Sequence, residues 1–214
     1  MARSLDLEKQ VHIPSGPVSL GATLAVPHDA RSIIVFVHGS GSSRFSPRNN
    51  FVAGVLRSHG FGVLLMDLLT AMEEDSSRKR FDIELLTHRL VSAREWLRGQ
   101  EELSRLKIGL FGASTGSAAA LKLAAVLGKE IGAVVSRGGR PDLAEQDLPK
   151  VVSPTLLIVG GNDPAVVELN ETAFEKLHSV KKLEIVPGAT HLFEEPGTLE
   201  QVARLAKAWF ARYL

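Results

Sequence analysis

Residues 107–120 read KIGLFGASTGSAAA, a strand, a tight turn and a helix in immediate succession. Residues 108–111 form a short continuous apolar run, which is typical of a strand covered on both faces. A helix of small residues is predicted to start near Gly116. Between them lies Gly112-x-Ser114-x-Gly116, in the structural context that this pattern requires to present a serine at the end of a buried strand.

Short apolar runs of the same kind recur along the chain, at residues 33–37, 63–66, 108–111, 133–135, 155–159 and 183–186. Between them, residues 83–97 and 199–213 carry apolar side chains at helical spacing. Strands that alternate with helices predict right-handed crossovers and an α/β fold with a doubly wound, mostly parallel sheet.

The first part of the chain follows a different pattern. Residues 18–26 alternate between apolar and small or polar side chains, which is typical of a half-buried antiparallel strand. An earlier run around Val11 and Ile13 precedes a Pro-Ser-Gly-Pro turn, so the two runs predict an N-terminal hairpin and about eight strands in all. No repeat or linker interrupts residues 1–214, which we expect to form one domain. The most polar stretch, residues 73–80, is predicted to be a charged loop before a helix.

Composition excludes several classes of protein. The chain has 25 Lys+Arg against 24 Asp+Glu and only 6% aromatic residues, which argues against binding to nucleic acid. It contains no cysteine and no H-E-x-x-H motif, so we expect no disulfide, no cysteine nucleophile and no metal. Residues 1–10 lack the apolar segment of a secretory signal, and no run of 18 apolar residues occurs. We therefore expect a cytoplasmic protein with no membrane partner.

Ser114 is the candidate nucleophile. On a strained turn, with glycines where a side chain would collide, its hydroxyl would project above the sheet beside the N-terminus of a helix, where the helix dipole favours a developing oxyanion. The alternative interpretation is that Gly112 and Gly116 serve only the tight turn and that Ser114 caps the helix.

Two glycine patterns also suggest a dinucleotide fingerprint, namely the one at Gly112 and Gly116 and a second at Gly39-Ser-Gly41. Arg44 stands where the second pattern needs its third glycine. The only tyrosine is Tyr213, so the Tyr-x-x-x-Lys pair of short-chain dehydrogenases is absent. We expect no cofactor.

A serine nucleophile needs a histidine base and a carboxylate to orient it, and in this topology the order is serine, acid, histidine. Asp163 follows the strand at residues 155–159, and His191 follows the strand at residues 183–186. Parallel sheets gather their sites at these strand ends. Asp142 is the rival acid, and an ordinary Asp-Pro turn is the alternative role for Asp163.

Residues 38–43 read HGSGSS after the first buried strand. The equivalent loop in this topology supplies one oxyanion-hole N–H, and the residue after the nucleophile supplies the other. The backbone amides of Ser40 and Thr115 are therefore the predicted donors. The alternative is a plain Gly/Ser loop.

Four motifs in this order, HGSGSS at 38–43, GASTG at 112–116, GGND at 160–163 and GATH at 188–191, make the chain resemble a small, dienelactone-hydrolase-like member of the α/β-hydrolases. The resemblance covers nearly the whole chain and implies Ser114 as nucleophile, Asp163 as acid and His191 as base. The dienelactone hydrolases proper use a cysteine nucleophile, and this departure puts a dienelactone substrate in doubt.

Only residues 138–153 separate two of the predicted strands, too few for a lid domain, so we expect no cap and an open site for small acyl groups. Arg137 and Arg140 lie on this connection and are candidates to clamp a substrate carboxylate, or else to cap helices and pair with acidic neighbours. An uncapped site makes a homodimer a candidate assembly. We expect a carboxylesterase-like serine hydrolase with a small-molecule acyl substrate, and the alternative is a non-catalytic protein that uses the same fold to bind a ligand or partner.

Overall fold

A computed structural model describes residues 5–214, and side chains from residue 7 onward. Its centre is one sheet of eight strands within the described range: β1 (Leu5–Ser15), β2 (Val18–Pro27), β3 (Ser32–Val37), β4 (Gly62–Met66), β5 (Lys107–Ala113), β6 (Ile131–Arg137), β7 (Thr155–Gly160) and β8 (Lys181–Val186). The order across the sheet is β1-β2-β4-β3-β5-β6-β7-β8. The β1–β2 and β2–β4 pairs are antiparallel and the other five are parallel. The predicted hairpin and mostly parallel sheet are confirmed.

Helices cover both faces of this sheet. They are α1 (Pro47–Ser58), α2 (Ala71–Glu74), α3 (Ser77–Arg80), α4 (Ile83–Arg98), α5 (Thr115–Leu127), α6 (Pro164–Lys176) and α7 (Thr198–Tyr213), with 3-10 turns at Gly128–Glu130 and Pro141–Lys150. The cores of α4, α5 and α6 lie on one face, and those of α1 and α7 lie on the other. The two predicted helical stripes are confirmed as α4 and α7.

Strand β3 shows why the parallel strands read as uninterrupted apolar runs. Its side chains alternate between the two cores, with Ile33, Val35 and Val37 in one and Ile34 and Phe36 in the other. Because both faces are covered, every residue of β3 is buried. In β2 the buried positions recur about every second residue, since only one face of the hairpin is covered.

The prediction that residues 73–80 form a loop was wrong, because the end of α2 and the whole of α3 lie there. Thr70 and Glu73 form a reciprocal capping box at the start of α2. The Glu73 side chain is also buried, where Arg89 Nη2 of α4 lies 2.9 Å from its Oε1. A stretch that reads as a solvated charge run is therefore partly an internal ion pair.

Residues 138–154 connect β6 to β7 without forming a cap domain, as predicted. Their 3-10 segment, Pro141–Lys150, packs against α5 and α6. Within residues 5–214, no helix combines the length and the apolar character that crossing a bilayer demands. The prediction that residues 1–10 hold no secretory signal falls partly on residues 1–4, which lie outside the described residues.

Candidate active site

Ser114 occupies a sharp turn between β5 and α5. Its backbone has φ 50° and ψ −124°, a conformation that costs strain in a residue other than glycine. A Cβ added at Gly112 would lie 2.5 Å from Cα of Ser117, and one at Gly116 would collide with two backbone carbonyl oxygens at the end of β3. The Ser114 side chain makes no capping bond to α5. The glycines therefore allow close packing around a strained serine that is not acting as a helix cap.

Neighbouring backbone holds this strained turn in place. The Ser114 N–H donates to the carbonyl oxygen of Arg137 at 3.1 Å, and the Ser114 carbonyl accepts from the amides of Ser117 and Arg140 at 3.0 and 3.1 Å. Strand β6 and its continuation thus bind the turn on both sides. Over-determination of this kind is what allows a high-energy backbone conformation to persist.

The structure brings Ser114, His191 and Asp163 together. His191 Nδ1 lies 2.7 Å from Asp163 Oδ2, and His191 Nε2 lies 3.3 Å from Ser114 Oγ. The first distance is that of a short charge-assisted hydrogen bond, and the second is the looser contact expected before substrate binds. Asp163 stands at the N-cap position of α6 but makes no capping bond there. Its carboxylate is instead directed to the imidazole, which argues against a role limited to the Asp-Pro turn.

The loop that carries His191 is fixed from both ends. Asn162 donates from its backbone amide to the Ala189 carbonyl at 2.9 Å and from its side chain to the Gly188 carbonyl at 3.0 Å. On the other side of His191, the Thr190 hydroxyl and amide donate to the Glu195 carboxylate at 2.6 and 3.1 Å. These bonds lower the pKa of Glu195. The imidazole therefore projects from a well-constrained loop.

Phe193 anchors the end of the same loop. Its ring is buried in the core between α1 and α7, although its φ of +57° is one that an aromatic residue rarely adopts. The sequence carries no signal for this strained residue.

Asp142, the rival acid, makes a different interaction. Its two carboxylate oxygens accept from Arg140 Nε and Nη2 at 2.8 and 2.7 Å. This bidentate ion pair raises the pKa of Arg140 through hydrogen bonding to Asp142. Asp142 and Arg140 thus neutralise one another, whereas Asp163 is the carboxylate that contacts His191.

His38 fixes the predicted oxyanion loop beside Ser114. Its buried ring donates from Nδ1 to the Gly39 carbonyl at 2.9 Å and accepts at Nε2 from the Leu68 amide at 3.0 Å. Burial lowers the pKa of His38, which favours the neutral tautomer that both bonds require. A Cβ added at Gly39 would lie 3.0 Å from Cβ of Ser114, so this loop passes directly beside Ser114.

The two predicted oxyanion donors, the amides of Ser40 and Thr115, lie on adjoining elements. The Ser40 N–H donates to the hydroxyl of Thr115 at 2.8 Å. Thr115 is the first residue of α5, and it is 3% exposed. The sequence pattern predicts a role only for the backbone amide of Thr115 and none for its side chain. The one available signal was that the residue directly after Ser114 carries a hydroxyl group.

Arg137 and Arg140 do not converge on a shared partner. Arg137 is buried, with Nη2 3.4 Å from Oδ1 of Asn49 and its guanidinium 5.9 Å from the ring centroid of Phe193. Its Nε and Nη1 have no hydrogen-bond partner among the described residues. Burial and the nearby charge of Arg48 lower the pKa of Arg137 to about 10. It is thus a buried cation without a carboxylate partner, whereas Arg140 is already paired.

Two open grooves lie next to these loops. One, of about 330 Å³, runs between the start of α1 and the residues that follow His191, and Phe51 and Phe193 are among those that line it. The other, of about 600 Å³, includes Phe45 and adjoins the oxyanion loop. In the described part of the chain, no three acidic or histidine side chains are grouped so that they could hold a metal ion.

The chain is similar to several known proteins. The dienelactone hydrolase family model matches residues 20–213. A curated relative from Mycobacterium tuberculosis, called a putative phosphoribosyl transferase, is 54% identical over 207 residues, which are 97% of this chain and 47% of that protein. The chain thus spans about half the length of the curated relatives it matches.

Solved structures agree with the family match. A dienelactone hydrolase from Anabaena variabilis is 53% identical, with a TM-score of 0.94 over 97% of this chain and 98% of that one. A lidless α/β serine hydrolase from Xanthomonas campestris has a TM-score of 0.77 at 20% identity over 98% and 96% of the two chains, and supports the fold alone. With a family match over residues 20–213 and a relative 53% identical over nearly its whole length, the chain belongs to the dienelactone hydrolase family and has the α/β-hydrolase fold.

Proposed function

We propose that the protein is a serine hydrolase that cleaves small ester, thioester or lactone bonds through Ser114, His191 and Asp163. The observation that carries the proposal is the pair of hydrogen bonds that links these three side chains, 2.7 Å from acid to base and 3.3 Å from base to nucleophile. Membership of a hydrolase family supports hydrolysis in general. The triad supports acyl transfer as its chemistry.

In the first half of the proposed reaction, Ser114 Oγ attacks the carbonyl carbon and passes its proton to His191 Nε2. Asp163 stabilises the imidazolium that forms, because its carboxylate accepts from Nδ1–H. The tetrahedral intermediate then collapses and His191 protonates the leaving group. In the second half, water attacks the acyl-enzyme with His191 as base, and Ser114 is released.

The surroundings of the triad favour a small or accessible acyl group. Within residues 5–214 no cap covers the site, and the His191 side chain is 37% exposed. Three large apolar side chains, Phe45, Phe51 and Leu192, lie exposed on loops and helices beside it. We propose that selectivity comes from these three side chains. Arg137 remains a candidate to bind an anionic substrate group, while a role for Arg140 would require it to leave Asp142.

The names given to the relatives indicate little about the substrate of this chain. The phosphoribosyl transferase name belongs to a protein of which this chain matches 47%, so that activity is not carried over to this chain. The Anabaena relative is called a dienelactone hydrolase, which supports including lactones among the substrates to be tested.

The test is mass spectrometry of the intact protein after incubation with a fluorophosphonate. We expect one adduct on Ser114 in the native protein, none in Ser114→Ala and none in His191→Ala. Ser117→Ala serves as the matched control, since it removes another hydroxyl three residues along the same turn and helix, and it should still be labelled. Circular dichroism would verify that each variant is folded.

The outcomes separate the two candidate functions. No adduct on folded native protein would contradict the proposal and favour a non-catalytic protein that binds a ligand or partner. An adduct that survives in His191→Ala would show that another group acts as the base. A positive result would justify a screen of neutral esters, thioesters and lactones of increasing acyl length.

A further inference from the structure

The side-chain hydroxyl of Thr115 forms a hydrogen bond that the predicted role of its backbone amide does not require. Its Oγ accepts a hydrogen bond from the Ser40 amide at 2.8 Å, and the side chain is 3% exposed. A hydroxyl has one proton to donate in addition to its acceptor sites. Among the described residues, no acceptor is paired with the Thr115 proton. A buried hydroxyl in this state has a donor available for a ligand.

The position of Thr115 indicates which atom of a ligand would accept a hydrogen bond from its hydroxyl. Thr115 directly follows Ser114 and is the first residue of α5, where backbone N–H groups lack partners within the helix. The loop of His38 and Gly39 borders the same space, because a Cβ added at Gly39 would lie 3.7 Å from Ser114 Oγ. The hydroxyl thus joins the two elements that flank the nucleophile, where the carbonyl oxygen of a substrate becomes negative.

Two roles are physically open to this hydroxyl. It could block the Ser40 amide by taking the place of the substrate oxygen, or it could donate to that oxygen while Ser40 donates to it. The second arrangement satisfies every group. The Ser40 amide keeps its acceptor, the Thr115 proton gains one, and a hydroxyl that accepts one hydrogen bond becomes a better donor for the next. His38 fixes the loop backbone from which the Ser40 amide projects.

We propose that the Thr115 side chain is a catalytic oxyanion donor, held and polarised by the Ser40 amide. As Ser114 Oγ bonds to the carbonyl carbon, the π-electron pair of the carbonyl moves onto its oxygen. The Thr115 O–H then donates a hydrogen bond to that oxygen without giving up its proton. The proton lost by Ser114 still goes to His191. This inference rests on the proposed hydrolase function.

The test compares Thr115→Val, which keeps the shape and removes the hydroxyl, with Thr115→Ser, which keeps the hydroxyl. We expect kcat for 4-nitrophenyl acetate to fall roughly 100-fold in Thr115→Val, the effect typical of a lost oxyanion donor, with KM changed little. Thr115→Ser should retain most of the activity. The matched control is Ser117→Ala on the same helix, which should behave like the native protein.

A second readout separates oxyanion binding from a structural role. A trifluoromethyl ketone forms a hemiketal oxyanion with the nucleophile, so its inhibition constant should rise in Thr115→Val by the same factor as kcat/KM falls. Unchanged or higher kcat in Thr115→Val would overturn the inference and indicate that the hydroxyl blocks Ser40. If native protein also gave no fluorophosphonate adduct on Ser114, the proposed function would fail together with it.

Discussion

Replacing Asp163 by Asn tests the acid of the proposed triad most directly. The substitution keeps the size of a side chain whose Oδ2 lies 2.7 Å from His191 Nδ1 and removes its charge. If the amide NH₂ turns toward Nδ1, the imidazole must carry its proton on Nε2. That nitrogen, 3.3 Å from Ser114 Oγ, can then no longer accept the serine proton.

The size of the effect follows from the lost attraction. When His191 becomes an imidazolium, its charge and that of the carboxylate are about 4 Å apart, which is worth about 4 kcal/mol at an effective dielectric constant of about 20. That energy corresponds to about three decades of rate. The unfavourable tautomer adds to this, so we expect acylation to slow by about 10³- to 10⁴-fold.

The assay is stopped-flow release of 4-nitrophenol from a neutral ester, which reports acylation separately from later steps. Asp142→Asn is the matched control, because Asp142 also follows a strand but pairs with Arg140, and its rate should stay near that of native protein. A loss of less than about tenfold in Asp163→Asn would refute the assignment. So would an equal loss in Asp142→Asn, provided that both variants melt near the native temperature.

Three further predictions concern the framework of the site. Gly116→Ala places a methyl group against backbone carbonyl oxygens, so the free energy of unfolding measured in urea should fall by at least about 2 kcal/mol. Gly54→Ala, in open space on α1, should instead raise it by about 0.5–1 kcal/mol. Similar effects of the two substitutions would contradict the packing argument. Burial lowers the pKa of His38, so below about pH 6.5 the unfolded chain binds a proton at this residue that the folded chain resists, and the free energy of unfolding should decrease as the pH is lowered. In urea titrations at several pH values, His38→Gln should show a weaker dependence of that free energy on pH. An unaltered dependence would exclude His38 as its cause. Arg137→Met removes a buried cation whose pKa is lowered to about 10, so the free energy of unfolding should rise by about 1–3 kcal/mol; a fall would show that the guanidinium stabilises the fold.

Most of the fold could be predicted because its determinants are local. Strands buried on both faces read as apolar runs, and the alternation of residues 18–26 marks a hairpin with one covered face. The failure at residues 73–80 has a nonlocal cause. Glu73 is buried by an ion pair with Arg89, 16 residues further on, and no sequence pattern distinguishes such a pair from two solvated charges.

The candidate site divides in the same way. The strand-end positions of Ser114, Asp163 and His191 follow from motif order, and the structure places His191 within hydrogen-bonding distance of both Ser114 and Asp163. The hydrogen bond from the Ser40 amide to the Thr115 hydroxyl joins residues 75 positions apart. It also depends on the rotamer of Thr115, which no sequence pattern predicts. The environment of Arg137 likewise depends on Asn49 and Phe193, which are distant from it in sequence.

His191 follows β8, the outermost strand on its side of the sheet, whereas Ser114 follows β5 near the middle. The side chains of β8 are partly or fully exposed except at Val186, but those of β5 are buried except at Lys107. Edge segments of this kind open locally at a lower free-energy cost than central strands, which exchange their amide hydrogens only on global unfolding. We therefore expect local opening of β8 to displace His191 despite the bonds that constrain its loop, while Ser114 stays in place at the centre of the sheet. Warming should abolish turnover at a temperature below that of global unfolding. Cooling should restore turnover because β8 pairs with β7 again.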